Sequence, residues 1–395
     1  MNRTIHYLNV AHFLDHYFLL IFPTAVLVIH PAWGMSYGEA LALATPGFVA
    51  FALGTPLAGW MGDRYGETPL MVTFFLGIGL SSIATGFAYD PLTLAIGLTA
   101  IGLFASIYHP VGTAYLVRVA KRTGAALGVN GVFGNMGVAA AAGLTGLIAA
   151  YFGWRATFIV PGVFAFVLGI AFALHAKGAP RAESSDESKP LFPAPRADQV
   201  RVLVVVAIAA LFGGLAFNGV TIALPKLFEE RVADTSVAQI GVYAAIVFGL
   251  AAFAQIPIGL LLDRVGAKPV MLTMTGLQVA LFIVVAQIDG LLAVIVAVPL
   301  MLAVFGEIPV GAWLIGRYVA PRFRGRVYSI QFLLALGVSS AVVPMIAILH
   351  DYTGSQTTLF MVFSGCMALV CLSALALLPG WRRSLPTASQ PAPAE

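Results

Sequence analysis

Twelve apolar runs divide this sequence, each long enough to cross a bilayer as a helix: residues 6–29, 40–62, 68–88, 92–116, 125–150, 155–175, 202–224, 236–262, 268–287, 291–317, 326–349 and 356–378. A spanning helix needs roughly 20 mostly apolar residues. In lipid each backbone N–H and C=O must find a partner inside the protein, and a helix supplies those partners within itself. The expected fold is therefore an all-α membrane protein of twelve transmembrane helices. Composition agrees: 60% of the 395 residues are hydrophobic and 10% charged, with a mean hydropathy of +0.94. Soluble domains carry about 25% charged residues, so a soluble enzyme, a disordered chain and a nucleic-acid binder are excluded. Cys366 and Cys371 fall in one apolar run and give no disulfide framework or zinc site. The first run is read as a retained helix and not as a cleaved signal, because His12, Asp15 and His16 interrupt it.

Loop charge orients the helices. With the N-terminus in the cytoplasm, eighteen basic residues fall inside and only Arg155, Lys226 and Arg231 outside. The inside set includes Arg64, Arg118, Arg264, Arg317 and the basic residues of the segment after helix 6. The opposite loops carry Glu39, Asp90, Glu229, Glu230, Asp234, Asp289 and Asp351. The positive-inside rule then places both termini in the cytoplasm of a multi-pass protein of the inner membrane. Segment 177–201 is rich in Pro, Ser and charge and reads as a cytoplasmic linker between six-helix bundles at 1–176 and 202–380. Residues 381–395 read as a disordered cytoplasmic tail.

The two halves repeat each other. Gly59-Trp-Met-Gly-Asp63-Arg64-Tyr-Gly66 returns as Gly259-Leu-Leu-Leu-Asp263-Arg264-Val-Gly266, 200 residues later. Pro110-Val-Gly112 returns as Pro309-Val-Gly311, and Arg118 as Arg317, at an offset of 199. Six helices per half give both copies one orientation, so the repeat is parallel, about an axis along the membrane normal. That arrangement favours a cleft between two rocking bundles.

The Gly-x-x-x-Asp-Arg-x-Gly loop and its second copy resemble the signature loop of the major facilitator superfamily, with Glu67 where that family usually has a basic residue. His12-x-x-Asp15-x-Tyr17 with Pro23, Tyr108-His109-Pro110-x-Gly112, and Gly131-x-x-Gly134-Asn135-x-Gly137 look like the fosmidomycin-resistance branch of drug exporters. The resemblance covers essentially the whole chain. It implies alternating access, a central cavity lined by helices 1, 4, 7 and 10, and no cofactor.

An ionisable group inside the bilayer costs about 2.5–3.5 kcal/mol, so each one needs a reason. His12, Asp15 and His16 share one arc of helix 1 at i, i+3 and i+4. Asp15 lies about nine residues, or roughly 14 Å, from the cytoplasmic end. His109 and Glu307 sit at similar depths on helices 4 and 10, and the repeat aligns Glu307 with Tyr108. Burial favours the neutral carboxyl and a neighbouring cation the charged one, so such a group can load and release a proton as its surroundings change. Asp15 and Glu307 are the expected proton carriers. His12, His16, Tyr17, Tyr108 and His109 are candidate substrate contacts or modulators. The other possibility is a buried Asp15–histidine pair that fixes helices 1 and 4.

Asn130, Asn135, Asn218, Gln255 and Gln331 are weaker substrate candidates, since amides commonly join helices with about 0.6–2 kcal/mol each. Glycines 128, 131, 134 and 137 make a smooth face for close helix packing. Gly59, Asp63, Arg64 and Gly66, with Asp263 and Arg264, are expected to gate the cytoplasmic side, Asp63 meeting a helix N-terminus or an arginine such as Arg118. No Walker loop, His-Glu-x-x-His or Gly-x-Ser-x-Gly pattern occurs, which removes ATP-driven and the commonest hydrolytic chemistries.

The leading expectation is a secondary transporter, a proton-coupled exporter of a small molecule, acting as a monomer in the lipid bilayer with no nucleic-acid partner. The alternatives are a proton-coupled importer of an organic solute or of a divalent metal held by the His/Asp cluster, and a non-transporting receptor or membrane enzyme.

Overall fold

The computed structural model describes residues 3–120, 123–177, 196–319 and 321–377. Most of the expected linker and the expected tail, with Lys121, Arg122, Arg181, Lys189, Arg382 and Arg383, lie outside the described residues. Among the described residues, twelve helices are long and apolar enough to span a membrane: α1 (Arg3–Ala32), α2 (Tyr37–Tyr65), α3 (Glu67–Gly86), α4 (Pro91–Val119), α5 (Ala126–Phe152), α6 (Trp154–Ala176), α7 (Ala197–Arg231), α8 (Val237–Val265), α9 (Ala267–Val285), α10 (Leu291–Tyr318), α11 (Leu333–Thr353) and α12 (Thr357–Ala374). Among the described residues there is no strand. Each expected span has its helix, and the ends move by a few residues where caps or tight turns set them.

The repeat is written into the backbone. Gly66 at φ 88° and Gly266 at φ 84° make the α2–α3 and α8–α9 turns, a left-handed conformation that glycine adopts without a steric penalty. Ser36 and Ser236 each cap a helix with a capping box closed by Glu39 and Gln239, satisfying donors that lack an intrahelical partner. Gly34 at φ 65° matches Asp234 at φ 55°, so this correspondence survives even where the residues differ.

Each half packs its first helix on its fifth and its third on its sixth, and the halves meet through α5 with α8 and α2 with α11. Small residues set the α5–α8 distance: a Cβ on Gly146 would lie 2.6 Å from the Val237 carbonyl oxygen, and one on Gly241 2.6 Å from that of Ala142. Close backbone approach of this kind is how helices associate in lipid, where burial from water supplies no drive. Nearer the other end the two helices part. A Cβ on Gly131 would meet only the end of Gln255, at 3.6 Å, and ones on Gly128 or Gly259 nothing within 4 Å.

The closed end carries the acidic loops. There Asp351 on α11 accepts hydrogen bonds from Ser36 Oγ (2.8 Å) and Gly38 N (3.0 Å), anchoring the start of α2 across the bundle interface. The His350 ring packs edge-on against Tyr37 at 4.7 Å, and Lys226 lies 4.9 Å from the same tyrosine ring. The three basic residues expected on this side have local partners. Arg155 donates to the Ala88 carbonyl (3.0 Å), Arg231 pairs with Asp289 (3.1 Å) and Lys226 with Glu229.

Candidate functional site

Between the bundles lies a cavity of about 420 Å³, within the 300–1,000 Å³ usual for small-molecule sites. Its walls come from α1, α2, α4 and α5 in the first half and from α7 to α11 in the second, more helices than the four implied by the resemblance. No lysine or arginine is among the described lining residues.

One wall is titratable. Pro110 lacks the N–H that a regular α-helix needs, and residues Tyr108–Gly112 relax into a π-helical turn within α4. Such turns bulge a helix and re-aim its side chains. This one turns His109 to the cavity, with Nε2 3.3 Å from Asp15 Oδ2 on α1. Asp15 is fully buried behind the ring, and neither of its oxygens has a well-aligned hydrogen bond. An unpaired buried carboxylate carries a large desolvation cost, which protonation or a cationic partner relieves. His12 and His16 complete the wall, their rings 4.8 Å apart and 5.4 and 5.6 Å from His109.

His12 is held on several sides. Its Nδ1–H donates to the Asn130 carbonyl at 2.8 Å, and Tyr108 stacks on its ring at 4.8 Å. Gly134 leaves room for it, since a Cβ there would come 2.6 Å from Nε2.

The facing wall is plainer. Glu307 on α10 lines the cavity and accepts a 2.8 Å hydrogen bond from Gln278 Nε2 on α9. Opposite it runs a second π-helical turn, Ala209–Gly213 in α7, where a Cβ on Gly213 would meet Glu307 Oε1 at 3.3 Å. Asn218 is spent on the α7 and α11 carbonyls of Gly214 (2.8 Å) and Ala335 (3.4 Å). Phe48, Phe51, Phe217 and Met271 supply apolar surface between the polar groups.

Of the expected site residues, His12, His16, His109, Asn130, Asn135, Asn218, Gln255, Gln331 and Glu307 line this one cavity, whereas Asp15, Tyr17 and Tyr108 do not. Tyr108 is buried and donates to Asn130 Oδ1 (2.9 Å), while Asn130 Nδ2 donates to Asn9 Oδ1 (3.0 Å), so this group ties α1, α4 and α5 together. Tyr17 is buried among aromatic rings, 6.1 Å from Phe13 and 5.6 Å from Phe18. Asn135 is buried, and its Nδ2 has no hydrogen-bond partner among the described residues. Sequence reading passed over Gln278 and Thr113; an isolated glutamine on α9 in the same membrane layer as Glu307 was the available signal for the first. Among the glycines, Gly134 and Gly137 give α1 its close approach, and Gly131 faces the cavity.

The gating expectation changes in its partners. Arg118 pairs with Glu67 at 2.7 Å, so the residue that departs from the usual loop pattern is the one that takes the arginine. Arg64 lies over Trp60 and Tyr65, at 5.9 and 5.7 Å from the ring centres. Asp263 accepts from Trp313 Nε1 at 3.0 Å, within its own half. These contacts brace each bundle separately, as expected for an end where the bundles are apart.

Twelve spans in two repeated bundles around a shared central cavity define a polytopic protein of the transporter class. The chain belongs to the Major Facilitator Superfamily, whose family profile matches residues 8–234 and 206–395. It is similar to the "Probable sulfoacetate transporter SauU" of Cupriavidus necator, 31% identical over 127 residues, which cover 31% of this chain and 29% of that protein. It is also similar to the "Probable 4-methylmuconolactone transporter" of Cupriavidus pinatubonensis, 24% identical over 279 residues, or 66% of this chain and 63% of the relative. These matches thus span under two thirds of either relative's length. In fold it is similar to the crystal structure of a D-xylose-proton symporter, with a TM-score of 0.75 at 14% identity over 95% of this chain and 97% of that one.

Proposed function

We propose that this protein is a secondary active transporter of the drug-exporter type, moving a small organic molecule out of the cytoplasm in exchange for protons. The observation that carries the reading is the Asp15–His109 pair: a fully buried carboxylate 3.3 Å from an imidazole that lines the cavity. Alternating access needs a group whose charge state is coupled to which end is open, and a ligand shifts such an equilibrium only by its differential affinity for the two states. Proton loading of Asp15 changes what His109 presents to the cavity, which couples the proton to the substrate. Glu307 is the proposed second carrier, on the opposite wall.

Loop charge supports the sidedness. The basic end, where α5 and α8 part, is proposed to be cytoplasmic, which makes this an inward-facing state closed by the Asp351 latch. Apolar rings interspersed with amides suit a small organic cargo, and a described lining without Lys or Arg disfavours a strongly anionic one. The names of the two relatives describe small organic molecules, which agrees in size, but sulfoacetate is a dianion and is not the cargo this lining favours. The efflux branch rests on the helix 1, 4 and 5 motifs.

The test is flux in proteoliposomes with an imposed pH gradient, using a compound first found by comparing the growth of cells with and without the protein. Uphill export that collapses in Asp15→Asn is expected. Undiminished uphill transport in both Asp15→Asn and Glu307→Gln would overturn the proton-carrier assignment, and accumulation inside the cell would overturn the direction.

A further inference from the structure

The closed, acidic end holds an imidazole that the transport reading does not use. His350, near the end of α11, is largely buried between two carboxylates. Its Nε2 lies 3.0 Å from Glu230 Oε1 on α7, and its Nδ1 lies 3.8 Å from Oδ1 of the adjacent Asp351. Glu230 is fixed by donors from the turn before α12, Gln356 N at 2.9 Å and Ser355 Oγ at 3.2 Å. Asp351 is the residue that reaches across to Ser36 and Gly38 of the first half. Gly38 makes room for it, since a Cβ there would run into the Asp351 carboxylate. The His350 ring crosses the same interface to meet Tyr37 of α2.

We infer that His350 is a proton-binding site that sets how firmly this end closes, so that pH at the acidic end governs its opening. Nε2–H serves Glu230 whether the ring is neutral or charged, so the other nitrogen decides the outcome. In the neutral ring Nδ1 is a bare lone pair facing the Asp351 carboxylate, and in the protonated ring it is an N–H. Nδ1 is buried and, among the described residues, has no hydrogen-bond partner. At 3.8 Å from the carboxylate it is too far for a hydrogen bond, but well within the reach of charge. A lone pair there repels Asp351, whereas an imidazolium attracts it and also faces the Tyr37 ring, which favours a cation. Acid therefore strengthens the contacts that join α11 to α2, and alkali weakens them. Imidazole suits this role because it ordinarily changes charge between about pH 5 and 8.

The other ionisable groups around the ring are engaged elsewhere. Lys226 of α7 lies 4.9 Å from the Tyr37 ring and pairs with Glu229. His30 of α1 meets Tyr37 at 6.0 Å and directs Nδ1 to the Met35 carbonyl at 3.3 Å. Glu39 of α2 closes the capping box on Ser36, and Arg231 pairs with Asp289. Glu230 and Asp351 are left as the carboxylates against the His350 nitrogens. The inference rests on the alternating-access reading only in requiring that this end open, and it is separate from the roles proposed for Asp15 and Glu307.

Spin-label distances test it. Cys366→Ser and Cys371→Ser remove the native thiols. Nitroxides on Tyr89→Cys and Leu291→Cys, exposed positions at the acidic end of opposite halves, then report the separation of the bundles by double electron–electron resonance. With His350 intact, the ratio of open to closed should rise about tenfold between about pH 5 and about pH 8. His350→Gln, which still donates to Glu230 but gains no proton, should abolish that response. His350→Lys, a fixed cation, should hold the closed distance at both pH values. The response should persist in an Asp15→Asn/Glu307→Gln background, which removes both proposed carriers. A distance that ignores pH with His350 intact, or a response that survives His350→Gln, would overturn the inference even if proton-coupled export is demonstrated. A response lost in the Asp15→Asn/Glu307→Gln background would overturn it as well, by assigning the titration to the carriers. Matching elution profiles for each variant exclude misfolding as the cause of any loss.

Discussion

The two walls of the cavity descend from one repeated frame and have diverged in chemistry. The first wall sets a carboxylate behind an imidazole and adds two more histidines. The second offers Glu307 to the cavity with one amide, Gln278, as its partner. Yet the backbone symmetry is close, down to paired positive-φ residues at 34 and 234 and at 66 and 266. The repeat therefore keeps the turns that frame each half and leaves the walls free to differ. Even the π-helical turns obey this division: both face the cavity, but they fall in α4 and α7, which are not counterparts in the repeat.

If the first wall is the principal coupling site, its loss should cost most. Asp15→Asn should lower proton-driven uphill flux about 100-fold, equivalent to roughly 2.7 kcal/mol, while exchange down a substrate gradient persists. Both are read in the same proteoliposomes. Glu307→Gln should cost less, about tenfold, because an amide at that position can still bond to Gln278. Equal losses in the two variants would break the comparison and make the walls equivalent carriers.

How much of this was legible beforehand follows from what each feature depends on. The spans, the two halves and the charge-sorted loops depend on local composition, and they could be read residue by residue. The arc of His12, Asp15 and His16 could be read too, because helical periodicity fixes it. What periodicity does not fix is depth behind a neighbour: Asp15 is screened by His109, and Tyr17, two residues on, turns into an aromatic cluster away from the cavity. Gln278 was overlooked because one amide in an apolar run looks like helix-joining glue, and only the placement of α9 beside α10 gives it Glu307. The Arg118 partner was missed for a related reason. Glu67 was noted as a departure from the family pattern, but its pairing depends on the turn that Gly66 makes.

A contact outside both walls sharpens the comparison by moving the equilibrium without touching either proposed carrier. Asp351→Asn weakens the bonds to Ser36 Oγ and Gly38 N at the closed end. Removing that charge from the start of α2 should cost the closed-end latch about 1 kcal/mol, or roughly fivefold in the population of this state. Cysteine labelling at the acidic end, with and without the substitution, measures the shift. Unchanged labelling would mean that the α5–α8 glycine contact and the packing of His350 and Lys226 on Tyr37 hold this end closed without it.

The smallest expected effect probes the plainer wall. Gln278→Leu removes the donor to Glu307 Oε2 while keeping much of the side chain's bulk against α10. A single net hydrogen bond contributes about 0.5–1.5 kcal/mol, so flux should change only about threefold to tenfold, toward the lower figure if Glu307 is protonated through most of the cycle. The informative experiment is the pair Gln278→Leu and Glu307→Gln with their combination. If Gln278 acts through Glu307, the double variant is no worse than Glu307→Gln alone, since the amide's only proposed role has already been removed. Additive losses would instead give Gln278 a contact of its own with the substrate, and the second wall would then be a binding surface as much as a proton site.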